Sequence, residues 1–241
     1  MKPRATDHAA RSPGWPEFFE RQAAACRDPA LRAFYSAGVV DPDTPLREVP
    51  LVALDFETTG MDADRHAIVS IGLVPFTLSS IRPSAGRHWV VKPPRPLGRE
   101  SVVLHRITDA EVADAPDLDE VLDELLEALA GHLVVVHYRH IERPFLDTAV
   151  LARRGERCLF PVIDTMGLEA RVRRAGWWQR IRELLGRKPP SIRLADSRAR
   201  YGLPVYSPHH AKLDALATAE LLQAQIAHHY SPDVHVGDLW V

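Results

Sequence analysis

Cysteine is nearly missing from this chain of 241 residues: Cys26 and Cys158 stand far apart, with no metal-ligand spacing around either. That excludes a disulfide scaffold and a cysteine-bound zinc site, and leaves two ordinary thiols suited to a reducing compartment. Long apolar runs are missing too. No segment approaches the roughly 18 consecutive apolar residues of a membrane span. The basic N-terminus has no apolar stretch of the kind an export signal needs, so the reading is a cytoplasmic protein with no membrane partner. Net charge is almost absent, at −2. This argues against a protein that coats nucleic acid non-specifically, but permits an enzyme that meets phosphates through metal ions and a local basic patch. No internal repeat and no low-complexity segment occurs. With 46% hydrophobic and 26% charged residues, the composition is that of an ordinary globular protein, long enough for one well-cored domain with an appendage.

Hydrophobic patterning predicts the elements. Trp15 to Gly38 has helical composition broken at Asp28-Pro29, where Asp28 caps a second helix whose first residue is Pro29. Residues 41–50 are Pro-rich and read as a linker. Apolar runs at Leu51–Glu57, which Thr58-Thr59-Gly60 turns, at His66–Leu78 and at Arg87–Lys92 read as three strands, joined by connections too short for crossover helices and therefore antiparallel. Asp117-Leu118-Asp119-Glu120 resembles a capping box. It opens a helix whose Leu118, Val121, Leu122, Leu125, Leu126 and Leu129 recur at helical spacing until Gly131. Beyond it, Leu133–Val136 reads as a buried strand, Arg143-Pro144 as the opening of a helix through Arg154, and Phe160–Ile163 as a strand. Asp164 is placed to cap the next helix, and further helices are expected over Ser191–Tyr201 and Ala211–His228. Strand–helix alternation after three antiparallel strands gives an α/β class with a mixed sheet. The division expected is a helical extension and linker over 1–50, the main domain over 51–230, and a tail over 231–241 that folds back through Leu239 and Trp240.

Two places carry chemistry. Asp55 and Glu57 end the first strand one residue apart, so both side chains point the same way, and paired carboxylates suit a hard divalent cation. A lone D-x-E is more often a solvated acidic turn. The weight shifts with His209 and Asp214, a histidine five residues before an aspartate at the entry of the last helix, an arrangement that suits a general base beside a metal ligand. Arg171 to Lys188, with Trp177 and Trp178 among its cations, is either a solvated helix face or a surface for a nucleic-acid strand, the first being favoured.

With these residues in place, the sequence resembles the DEDDh 3′→5′ exonucleases, the family of the proofreading epsilon subunit of bacterial replicative DNA polymerase. Leu54-Asp55-Phe56-Glu57-Thr58-Thr59-Gly60 matches the first motif, and His209 to Asp214 with the following Ala-Leu-Ala-Thr-Ala-Glu matches the third. Leu104-His105-Arg106-Ile107-Thr108 resembles the family's V-H-G-I-T stretch, and Tyr201-Gly202-Leu203 its approach to the third motif. The second motif departs. Where the family has H-N-x-x-F-D-x-x-F-L, this chain has His137-Tyr138-Arg139-His140-Ile141-Glu142-Arg143-Pro144-Phe145-Leu146, so Glu142 takes the place of the aspartate, with Asp147 the other acid in reach.

The resemblance covers 51–228 and implies an RNase H-like fold with helices flanking a mixed sheet. It implies two Mg²⁺ or Mn²⁺ ions held by Asp55, Glu57, Glu142 and Asp214, with His209 as the general base. It also implies substrate contacts at Thr58, Glu100 and His105, and nucleoside 5′-monophosphates released from a nucleic-acid 3′ end. Single-stranded DNA is the favoured substrate, with a polymerase or other protein as a possible partner. The alternatives are an exoribonuclease acting on short RNA and a degenerate fold that binds nucleic acid without cutting it.

Overall fold

The computed structural model describes residues 14–94, 112, 114–175, 190–207 and 209–241. Its centre is strand β1 (Leu51–Thr58), flanked on one side by β2 (Ile68–Phe76) and β3 (Arg87–Val90), and on the other by β4 (Leu133–Val136) and β5 (Val162–Asp164). The order is β3-β2-β1-β4-β5, antiparallel among the first three strands and parallel from β1 through β4 to β5. The short connections that predicted antiparallel pairing are present. Each parallel step is made through a helix, as parallel neighbours require.

β1 is apolar on both faces because it is covered on both. Val52, Leu54 and Phe56 enter one core with helices α1 (Trp15–Ala25), α2 (Pro29–Ser36), α3 (Leu118–Leu129) and α4 (Glu142–Arg154). Leu51 and Ala53 enter the other, beneath α7 (Ala211–His229). Helix α5 (Thr165–Ala175) follows β5, and α6 (Leu194–Arg200) precedes α7. The alternation that sends Leu51 and Ala53 toward α7 continues to Asp55 and Glu57, so both carboxylates emerge on the α7 face.

The predicted caps form. Asp28 Oδ1 accepts the Leu31 N–H at 2.9 Å, and Asp117 with Glu120 makes a reciprocal capping box on α3. Asp164 Oδ1 accepts the Met166 and Gly167 N–H groups at 3.0 and 3.2 Å. Observed bounds differ from the expected ones by at most three residues; α4 begins at Glu142 and not at Arg143. The Pro-rich stretch is more than a connection. Leu46, in a short 3₁₀ turn at Leu46–Glu48, is 0% exposed. Residues 42–47 pair with 232–237 through Leu46 N–H to Val234 O (2.9 Å), Arg47 N–H to Pro232 O (3.0 Å) and Val236 N–H to Thr44 O (3.1 Å). The chain end does fold back: Trp240 bridges Ile163, and Val241 exchanges backbone hydrogen bonds with Val162.

Candidate active site

Asp55 lies directly opposite Gly72 on β2, and Gly72 opposite His88 on β3. The central position of that row has no side chain for a steric reason. A Cβ on Gly72 would stand 2.0 Å from the carbonyl carbon of Ala211. A glycine in a strand marks a close approach of backbone, and here the N-terminus of α7 drops onto the sheet. The register of β1 against β2 shifts between Glu57 and Thr58, a bulge of the kind that re-aims side chains beside active sites.

Seated in this way, α7 carries Asp214 over the end of β1. One carboxylate oxygen from each of Asp55, Glu57 and Asp214 lies within 4.8 Å of the others. Asp214 Oδ2 also accepts the backbone N–H groups of His209 and His210 at 2.8 and 3.2 Å, which ties the loop carrying His209 to the acid cluster. His209 adopts φ 69°, a left-handed conformation uncommon outside glycine, and it is exposed at the rim. The approach to it is braced by Arg198, whose guanidinium donates to Pro204 O and to Glu220, and by Tyr206, whose hydroxyl donates to Glu220 at 2.8 Å.

Glu142 is the first residue of α4, and its residue surface is 2% exposed. It lies outside the three-acid group, yet among the charges that raise the pKa of Asp55 its charge ranks ahead of those of Asp214 and Glu57. Burial, followed by these three carboxylates, pushes Asp55 well above the ordinary carboxylate range. Burial and then the charge of Asp164 do the same to Glu142, whose Oε2 has no hydrogen-bond partner among the described residues. Burial and then Glu57 raise Asp214, against the pull of the two backbone N–H groups it accepts. Four hard-oxygen donors, with Asp55, Glu142 and Asp214 raised in pKa and Glu142 also carrying the buried orphan oxygen, fit a divalent cation of the Mg²⁺ or Mn²⁺ kind.

Asp147, the other acid near the second motif, is spent elsewhere. It is 5% exposed, paired with Arg157, and accepts the Cys158 N–H at 3.0 Å. Thr58 Oγ1 donates to Gly60 O at 2.6 Å and so closes the turn after β1. Glu100, His105 and the segment holding Trp177, Trp178, Arg180, Arg182 and Arg187 lie outside the described residues. Sequence reasoning passed over His88, Ser70 and His210, which cluster beside the acids; the one signal available was Gly72 inside an apolar strand. It also gave Asp164 only a capping role, whereas its carboxylate accepts the Tyr138 N–H at 3.0 Å as well, holding the loop between β4 and Glu142.

Comparison with known proteins agrees with this arrangement. The sequence model of the family described as Exonuclease, of the RNase T type, matches residues 52–222. The DNA polymerase III subunit epsilon of Treponema pallidum (strain Nichols) is 27% identical over 187 residues, 78% of this chain and 81% of that protein. The DNA polymerase III PolC-type of Thermotoga petrophila is 29% identical over 179 residues, but they make up only 12% of its length. Among solved structures, the nuclease domain of 3'hExo, a DEDDh family member, bound to rAMP, shares the fold with a TM-score of 0.62 at 14% identity, over 81% of this chain and 97% of that one. Exonuclease X in complex with 5' overhanging duplex DNA gives 0.58 at 23% identity, over 78% and 98%. A sheet of this topology, carboxylates converging at the end of its first strand and a family match that spans most of the chain identify this protein as a member of the DEDDh-type exonucleases.

Proposed function

We propose that the chain removes nucleotides one at a time from the 3′ end of a nucleic acid, with single-stranded DNA as preferred substrate, in the cytoplasm and in the company of a polymerase or other protein. The observation that carries this reading is the convergence of the Asp55, Glu57 and Asp214 carboxylate oxygens within 4.8 Å, with the orphan Oε2 of Glu142 alongside. Carboxylates crowded in this way cost stability unless cations neutralise them. The polymerase subunits among the relatives favour DNA over RNA.

Asp55, Glu57, Glu142 and Asp214 are the residues that would hold two divalent ions. When bound, these ions lower the pKa of water and neutralise charge developing on the leaving oxygen. The chain's own contribution is placement. The bulge after Glu57 aims two carboxylates into one space, Gly72 admits α7, and Asp214 fixes the loop of His209. A ring nitrogen of His209, exposed at the rim, takes the proton of the attacking water as general base. Thr58 closes the turn against which the terminal nucleotide lies, and Glu100 and His105 are assigned to the same nucleotide. The catalytic unit is assigned to 51–230, with 1–50 and 231–241 as its extension and tail.

The test is digestion of matched 5′-labelled DNA and RNA oligonucleotides, single-stranded and duplex, with Mg²⁺ or Mn²⁺ and with chelator. A ladder that shortens from the 3′ end, requires metal and runs faster on single-stranded DNA is expected. Loss of the 5′ label as a mononucleotide, or no cleavage under any condition, would overturn the assignment.

A further inference from the structure

Of the four acids, Asp55 and Glu57 are carried by β1, Glu142 by α4 and Asp214 by the first turn of α7. The distance of Asp214 from the two β1 carboxylates depends on what grips the first turn of α7. On the Asp55 side of Gly72 stand the carboxylates. On the other side, in the same cross-strand row, stands His88. Its ring stacks on His210, the residue preceding α7, with centroids 4.7 Å apart and planes at 27°. Its Nε2 lies 2.8 Å from the hydroxyl of Ser70, which is 1% exposed and directly opposite Glu57 on β2. Two residues beyond His210, Lys212 donates from Nζ to the carbonyl of Gly86, just before β3, at 2.8 Å.

We infer that His88 is a positioning residue for the metal centre: anchored by Ser70 and stacked on His210, it sets the height and tilt of the α7 N-terminus, and through it the places of Asp214 and His209. The contact closes a loop. Glu57 faces Ser70, Ser70 bonds His88, His88 stacks on His210, and His210 donates its N–H to Asp214, the acid that meets Glu57 across the site. The stack lies on the surface and meets the acids through the His210 backbone N–H, so its influence is one of geometry. A surface aromatic stack is weak, but a displacement of a fraction of an ångström is expensive where several carboxylates share cations.

This inference rests on the exonuclease reading, and its test has a readout that does not. His88→Ala, His88→Phe, His210→Ala and the double variant His88→Ala/His210→Ala are compared in the full chain. The measurements are Mn²⁺ affinity by calorimetry, kcat and KM on a single-stranded DNA oligonucleotide, and melting temperature in chelator. His88→Ala is expected to lower kcat about tenfold, weaken Mn²⁺ binding severalfold and leave KM unchanged. His88→Phe, which keeps a ring to stack, should recover part of both, and the double variant should be no worse than His88→Ala. Mn²⁺ affinity and kcat within twofold of wild type in His88→Ala would overturn the inference. So would additive losses in the double variant, or a rise in KM alone, which would make the pair a substrate contact. If His88→Ala does not fold, the inference is decided by His88→Phe and His210→Ala, whose Mn²⁺ affinities must lie between wild type and loss. A wild-type protein that binds Mn²⁺ but cuts nothing would sink the functional reading and leave the affinity series to decide the role of His88.

Discussion

Replacing the Glu142 carboxylate by an amide separates what that residue costs the fold from what it gives the site. A carboxyl this buried, with an orphan oxygen and its pKa raised by burial and then by the charge of Asp164, is a burden on the metal-free protein. Glu142→Gln should therefore cut hydrolysis at least a hundredfold while leaving the melting temperature in chelator unchanged or raised. Cleavage at the wild-type rate at every Mg²⁺ and Mn²⁺ concentration would show that Glu142 is no ligand. Asp55→Asn carries the same logic, with hydrolysis lost and the fold kept, and a variant within tenfold of wild type would remove Asp55 from the chemistry. His209→Ala should differ in kind. Its rate should fall about 10²- to 10⁴-fold, the usual worth of a placed general base, with Mn²⁺ affinity retained; an equal loss of affinity would make His209 a ligand. His137 supplies a pH signature away from the acids. Burial lowers its pKa from 6.5 to about 4, with Nδ1 2.8 Å from the Thr165 hydroxyl and Nε2 3.1 Å from Ile192 O. Between those two values the unfolded chain binds a proton that the folded chain does not. Stability is therefore present in full above pH 6.5 and falls as pH drops toward 4, by on the order of 2 to 3 kcal/mol. His137→Gln should flatten that acid limb in urea titrations, and an unchanged limb would refute the assignment. Asp55, Glu57, His209 and Asp214 were legible because two short motifs hold them at fixed spacing. Glu142 was legible only through the register set by His137, Phe145 and Leu146. Ser70 and His88 were not, because their meaning lies in cross-strand neighbours that no spacing reveals.

Elements place these side chains, and α7 on β2 is the decisive contact. Gly72→Ala puts a methyl where Ala211 already lies, so the α7 N-terminus must lift or β2 must give way. A loss of about 1 to 3 kcal/mol is expected from the overpacking. Activity should suffer more than stability does, by tenfold or more at a temperature where the variant is fully folded, because Asp214 moves with the helix. A variant that folds with wild-type turnover would show that the close approach does not set the site. Strand identities were readable from apolar runs, and the α2 and α3 starts from their caps. The start of α4 was misplaced by one residue because its N-cap, Ile141, has no capping side chain to announce it. Residues 41–50 were read as a linker because proline content reports the absence of regular hydrogen bonding. It says nothing about burial, and here Leu46 and Val49 are 0% and 1% exposed.

At the scale of the molecule, the segments outside the site hold the two cores shut. On one face, Phe19 and Phe34 each meet Tyr35 edge to face, and Phe34 reaches Phe160 with centroids 6.2 Å apart. Tyr35 accepts the Leu159 N–H at 2.9 Å, while Arg154 ties α4 to Asp28 before α2 at 3.0 Å and to Asp119 in α3 at 2.6 Å. On the other face, Val236 and Leu239 are 0% and 2% exposed against the core beneath α7, and Arg143 donates to Val241 O at 2.8 Å. A chain cut to 51–230 keeps the acids proposed to hold metal and His209 but uncovers both cores. It should therefore fail to fold, although it contains every residue assigned to chemistry. Two substitutions in the full chain make the same point without truncation. Leu239→Ala should cost about 2 to 5 kcal/mol and Phe34→Ala about 3 to 5, each lowering the melting temperature. The turnover of the folded fraction, measured well below the transition, should stay within twofold of wild type, because neither side chain is among the groups assigned to the site. If 51–230 folds with the stability of the full chain, the extension and the tail are decorations. If Leu239→Ala loses turnover while still folded, the tail reaches the site through β5 and Asp164, and its part in the molecule is catalytic support as well as closure.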